Sequence, residues 1–142
     1  MEKLEYENLL VLIEQSPEQL KEYKKRHEKE CYQDFVSFID DYISSHGLTR
    51  AFIINKANLT NYGYRILDGT KHTKNRNLIL RICLAMGMNL EDTQKALKLY
   101  NMRLLDDTLF RDKIIIAGIV IGIAALDIDK KLCKAGEESL YV

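Results

Sequence analysis

An all-α fold is what this sequence predicts, and three features carry that prediction. Apolar residues recur at three- and four-residue intervals through most of the chain, and no segment alternates with a period of two. One proline and seven glycines in 142 residues leave little material for hairpin turns or long coil. Finally, the C-terminal half resembles itself at an offset of 35, a length that suits one helical pair with its turns.

The elements follow in order. Residues 3–15 carry Leu4, Leu9, Leu10, Leu12 and Ile13, which predicts a short amphipathic helix. Ser16-Pro17-Glu18-Gln19 then opens a second helix, with serine as cap, proline in the first turn and Gln19 as in a capping box. Leu20, Tyr23, His27, Cys31, Phe35, Phe38 and Tyr42 extend that helix towards His46, with room for a break near Tyr32, and Gly47 stops it. Six shorter helices are expected at 49–57, 60–67, 75–86, 90–99, 109–121 and 127–135. The last four form the repeat. Arg76 matches Arg111, Ile79 Ile114, Gly87 Gly122, Asp92 Asp127, Leu97 Leu132 and Leu105 Leu140. Each copy reads as a helix, a glycine-containing turn and a second helix starting near an acid, as the helix dipole favours. The layout expected is an N-terminal helical extension at 1–32, a central domain at 33–102 and a C-terminal helical hairpin at 103–142.

Composition narrows the function classes. Three widely spaced cysteines, Cys31, Cys83 and Cys133, contain no CxxC pair, so neither a disulfide framework nor a zinc site is expected. The uncharged run 114–126 is thirteen residues long, short of the roughly 20 a bilayer requires, and is expected to be a core helix. No basic segment precedes an apolar stretch at the N-terminus, so no secretory signal is expected and the location implied is cytoplasmic. Net charge is zero, but its distribution is uneven. From Tyr42 to Leu90 there are seven cations against one acid, Asp68, while the rest of the chain holds fourteen cations and twenty acids. A basic module between acidic flanks is the electrostatic footprint of a nucleic-acid binder.

Within that module, residues 47–69 read GLTRAFIINKANLTNYGYRILDG. Thr49 can cap a first helix with Phe52, Ile53 and Ala57 inward. Asn58 can take the left-handed conformation a tight turn needs. Thr60 can cap a second helix, anchored by Ile66 and Leu67 and closed at Asp68-Gly69. This arrangement resembles the lambda-repressor-like (Cro-type, XRE) helix-turn-helix family, bacterial and phage transcriptional regulators, with Leu48, Thr49, Ile53, Leu59, Thr60, Ile66 and Gly69 on the family's pattern. The resemblance covers about residues 33–100 and is narrowest to bacterial regulators with Tyr-Gly-Tyr in the recognition helix and a further helical pair after the core. It implies a five-helix DNA-binding core. Ile54 stands where the family has alanine, Asn58 where it has glycine, and the second helix is one residue shorter; Ala57 is expected to make room for Ile54.

The resemblance places a recognition helix at about 60–68 in the major groove, with Asn61, Tyr62, Tyr64 and Arg65 towards the bases. Asparagine pairs with adenine and arginine with guanine through two-pronged hydrogen bonds, each worth about 1–3 kcal/mol of discrimination. Because Tyr62 and Tyr64 cannot point the same way on a helix, one of them is expected to be buried. Thr49, Arg50, Thr60, Lys71, Thr73, Lys74 and Arg76 are expected to hold phosphates and set the register. Nothing suggests an enzyme, a cofactor or a metal. The adjacent acids Asp40 and Asp41 point about 100° apart on a helix and cannot share a proton, His27, His46 and His72 lack ligand spacing, and no phosphate-binding glycine loop occurs. The partner expected is double-stranded DNA, with the C-terminal hairpin as homodimer surface, although the same residues would serve equally as monomer core. Two rivals stand beside a sequence-specific regulator: a protein-interaction module that uses the helix-turn-helix as scaffold, and an antitoxin-like protein whose N-terminal helices also grip a protein partner.

Overall fold

Eight helices account for most of residues 2–141, the part of the chain described by the computed structural model: α1 (Glu2–Gln15), α2 (Pro17–Ser45), α3 (Arg50–Lys56), α4 (Asn61–Asp68), α5 (Arg76–Ala85), α6 (Leu90–Leu99), α7 (Phe110–Ile121) and α8 (Ala125–Lys134). No strand occurs among the described residues, as the missing period of two predicts. None of the described helices is long and apolar enough to cross a membrane. The chain divides into two units, residues 1–31 and 32–142.

The first unit holds α1 and the beginning of α2, and α1 buries no residue fully. Leu9, Leu12, Leu20 and Tyr23 are half-buried, while Leu4, Tyr6, Leu10, Val11 and Ile13 are exposed. α2 runs unbroken to Ser45, so the break allowed for near Tyr32 does not occur.

The second unit begins at Tyr32 and is built on Phe35, Ile39 and Tyr42 of α2, all buried. α2 ends as its glycine predicts. Gly47 turns left-handed (φ 63°), and the Leu48 N–H donates back to the Ile43 carbonyl at 3.0 Å, closing the last turn. Ile53, Ile54 and Ala57 of the α3 region, Ile66 and Leu67 of α4, and Ile79, Leu80, Ile82 and Cys83 of α5 complete one continuous core with Leu97 and Tyr100.

The repeat is present at the level of single hydrogen bonds. The Arg76 Nε–H donates to the Arg103 carbonyl at 2.9 Å, and that of Arg111, one repeat on, to the Glu138 carbonyl at 3.0 Å. Met88 N–H donates to the Cys83 carbonyl, and Ile123 N–H to that of Gly118. The Leu105 N–H donates to Gln94 Oε1 at 2.8 Å, the Leu140 N–H to Asp129 Oδ1 at 2.7 Å. Across the two copies the exchange is reciprocal. Arg76 grips Asp112 with both Nη atoms (3.0 and 2.9 Å), and Arg111 donates to Asn77 Oδ1 at 2.7 Å, residues 77 and 112 being equivalent positions. Hairpins 75–105 and 110–140 thus face each other about an approximate two-fold axis.

Two expectations change here. The apolar run 114–126 is not one core helix. α7 stops at Ile121, Gly122 turns left-handed (φ 87°), and α8 begins at Ala125. Ile115 is buried, but Val120, Ile121 and Leu126 are 65, 77 and 62% exposed. Room for Ile54 also comes from a different residue. Gly63 supplies it, since a Cβ there would stand 2.5 Å from Ile54 Cδ1. A residue without a side chain on α4 thus faces a large one on α3, and a bulkier residue at 63 would overpack their contact.

Candidate nucleic-acid interface

The α3–α4 pair is assembled locally. Thr49 Oγ1 accepts the Phe52 N–H at 3.1 Å and starts α3. Asn58 takes the left-handed conformation (φ 55°), and the Leu59 N–H returns to the Ile54 carbonyl at 2.9 Å. Thr60 occupies the N-cap position of α4, but its side chain makes no cap bond. Its carbonyl takes the Gly63 N–H instead, at 2.9 Å, leaving the hydroxyl at the surface.

α4 turns Gly63, Ile66 and Leu67 inward and exposes Asn61, Tyr62, Tyr64, Arg65 and Asp68. Both tyrosines are exposed, at 40 and 37%, against the expectation that one would be buried. With about 100° between successive residues, Tyr62 and Tyr64 do point roughly 200° apart. The buried arc, however, is centred on Gly63, so the tyrosines flank opposite edges of the exposed arc and Asn61 and Arg65 lie between them. The Tyr62 hydroxyl donates to the His72 carbonyl at 2.8 Å, which ties the helix to the segment that follows it.

That segment, residues 69–75, is held at several points. Gly69 is left-handed (φ 81°), where it closes α4. Asp68 Oδ1 accepts both the Thr70 N–H and hydroxyl, at 2.8 and 2.7 Å, and these two bonds hold the Asp68 carboxyl below its ordinary pKa. The Lys71 N–H donates to the Arg65 carbonyl at 3.1 Å. The His72 ring stacks on Tyr32, centroids 3.7 Å apart. The Thr73 N–H donates to the Tyr100 hydroxyl at 3.0 Å, while Thr73 Oγ1 accepts the Asn75 N–H. Burial pushes the Tyr100 phenol up to about 12, and the bond its oxygen accepts from Thr73 offsets part of that rise. Lys71 and Lys74 project from the pinned backbone as exposed side chains.

The cations proposed from sequence therefore fall into three groups. Arg65, Lys71 and Lys74 are exposed, and no salt bridge engages them among the described residues. Arg50 is bound to Asp40 at 2.9 Å, both side chains being about half exposed (41 and 46%), so a phosphate would have to compete with that carboxylate. Arg76 is a correction. Besides Asp112 it donates to the carbonyls of Arg103 and Leu104, and its side chain is only 16% exposed, so its guanidinium is spent on joining the two hairpins. Arg81, another member of the basic segment, lies under the Tyr141 ring at 5.2 Å.

Of the predicted positions, Asn61, Tyr62, Tyr64 and Arg65 come together on α4, with Lys71 and Lys74 on the adjoining segment. Thr49 and Thr60 are exposed at the starts of α3 and α4, and Thr73 is half-buried. Sequence reasoning missed Tyr32, His72 and Tyr100 as the braces of residues 69–75. No spacing rule joins them, because their contacts are made across elements far apart in the chain. Exposed Phe52, with Lys56 over its ring at 5.3 Å, adds an aromatic to the α3 surface that reads from sequence as inner-face. Comparison with family models, with curated proteins and with solved structures finds no match.

Proposed function

We propose that residues 32–142 bind double-stranded DNA as a lambda-repressor-like helix-turn-helix, with α4 in the major groove, in a non-enzymatic, cytoplasmic transcriptional regulator. One observation carries the reading. α4 presents Asn61 and Arg65 between two exposed tyrosines, and the braced segment behind it offers Lys71 and Lys74. Asn61 and Arg65 are the base readers, through adenine and guanine edges. Tyr64 meets thymine methyls or a phosphate. Tyr62 sits beside the bases but keeps its hydroxyl on His72, which limits it to ring contact. Lys71, Lys74 and the Thr60 hydroxyl take phosphates, and Arg50 joins them only by leaving Asp40.

Selection from a randomised duplex pool tests this. The native chain should enrich a motif. Arg65→Ala should relax one position of it by about 1–3 kcal/mol. Lys71→Ala should weaken every sequence alike and lower the slope of log K against log salt by about 1. A native chain that enriches nothing and binds no duplex at low salt ends the reading. The second reading, a protein-binding module on the same scaffold, draws on the pairing of Arg50 with Asp40 and on the exposed Phe52, Tyr62 and Tyr64. Its partner would bind with little dependence on salt.

A further inference from the structure

The two hairpins share a backbone but not a covering. In the first, Ile79, Ile82, Cys83, Met86, Met88 and Ala96 are all buried, at 0–4% exposure. α3 packs on α5, Phe35 of α2 meets the Tyr100 ring edge-on at 4.6 Å, and Lys95 lies over Phe38. The equivalent positions of the second hairpin, 35 residues on, are Ile114, Ala117, Gly118, Ile121, Ile123 and Lys131. Those six residues line an open, almost wholly apolar groove of about 370 Å³. Ile121 is 77% exposed where Met86 is 4%. The groove is the duplicate of a surface that, in the first copy, exists to receive helices.

The rim indicates what fits there. Lys130, Lys131 and Lys134 border the adjoining depression with Asp127, which lies 4.0 Å from Lys130. An apolar trough with an excess of lysines along one edge suits a helix with an apolar stripe and acidic flanks. α1 is such a helix. Tyr6, Leu10 and Ile13, at i, i+4 and i+7, are 64, 63 and 49% exposed and form one stripe. Glu7 and Glu14 border that stripe, and the helix carries four glutamates against one lysine. Its fourteen residues span about 21 Å, against about 18 Å for the twelve of α7.

We propose that the α7–α8 groove is a homodimer site that receives α1 of a second copy of this chain, each copy lending its helix to the other. The Tyr6–Leu10–Ile13 stripe enters the groove over Ala117 and Ile121, with Glu14 near Lys131 and Lys134. This is independent of DNA binding. Reciprocal exchange uses two such contacts and closes the assembly at two chains.

Analytical ultracentrifugation of the full chain, without DNA, tests it. The native protein should sediment at twice 16.5 kDa. Ile121→Glu and Leu10→Glu should each weaken the dimer at least about tenfold, since each puts a charge at the centre of both contacts. Both side chains are exposed within one chain, so the circular dichroism and the melting temperature of the variants, compared as monomers, should be unchanged. Mixing is decisive. An Ile121→Glu chain keeps a working helix and a Leu10→Glu chain a working groove, so their mixture should form a heterodimer that neither forms alone. A native chain that is monomeric throughout overturns the proposal, whether its groove is empty, filled by its own α1, or reserved for another protein. A dimer that withstands either variant, or a mixture that fails to associate, places the interface elsewhere and overturns it too.

Discussion

Hairpins 75–105 and 110–140 keep the same closing bonds and differ in what lies on top of them. Arginine to carbonyl, the left-handed residue after each first helix and the tail N–H captured at position 94 or 129 recur in both. These bonds satisfy backbone groups that each hairpin must satisfy whatever surrounds it. The outward side chains follow the neighbour instead. Ile82, Ala96 and Tyr100, buried in the core, correspond to Ala117, Lys131 and Ala135, all exposed. Repetition of a sequence thus reports its internal closure, and divergence within the repeat reports what each copy touches.

The largest expected effect breaks the joint between the copies. Asp112 is buried and accepts two Arg76 bonds as well as the Asp106 N–H, so Asp112→Ala leaves a largely buried guanidinium with its two carbonyl partners but no counter-charge and should cost about 3–5 kcal/mol in urea unfolding. The two-fold-related bond from Arg111 to Asn77 lacks a buried carboxylate, and Asn77→Ala should cost only about 1 kcal/mol. Equal losses would mean that the approximate symmetry extends to energy, and that Asp112 has no special weight.

Next come equivalent core positions. Met86→Ala should lose about 2–5 kcal/mol, whereas Ile121→Ala, one repeat on, should stay within about 0.5 kcal/mol in the monomer. A large loss at Ile121 in dilute monomer would show that its exposed face is covered within the chain.

The smallest effect is on alkaline stability, and of the two hairpins it belongs to the first. Burial pushes the Cys83 thiol and the Tyr100 phenol both up to about 12, from ordinary values of 9.0 and 10.0. Stability from these protons is complete below pH 9. It falls as the unfolded chain begins to ionise and is lost as pH rises through 12. Gly118 and Ala135 hold the equivalent places in the second hairpin and cannot ionise. Tyr100→Phe should therefore flatten the decline between pH 10 and 12, measured by denaturant midpoint; an unchanged decline would assign it to other groups.

Much of the architecture is legible in the sequence, and the reasons are local. Helix bounds fell within a few residues of those expected because Thr49, Asn75 and Asn89 each accept an N–H of their own first turn, and glycine or asparagine stands at each left-handed stop. The repeat was readable because its closing bonds depend on residues at fixed spacing. The outer arc of α4 was readable as a set, through periodicity, but not the exposure of both tyrosines, which follows from Gly63 lying at the centre of the buried face. Nor could sequence separate the arginines. Arg65 and Arg76 look alike in a basic run, yet one is exposed and the other is enclosed by Asp112 and two carbonyls.

Sequence by itself thus determined the helices, their stops and the duplication, because each depends on hydrogen bonds made within a few residues or on a period the chain carries openly. Tertiary structure alone decided which cations remain at the surface, how residues 69–75 are braced by Tyr32, Tyr62 and Tyr100, and which copy of the hairpin keeps an open face. Those outcomes rest on contacts between residues distant along the chain, and a side chain's partner there is chosen by packing rather than by its own identity.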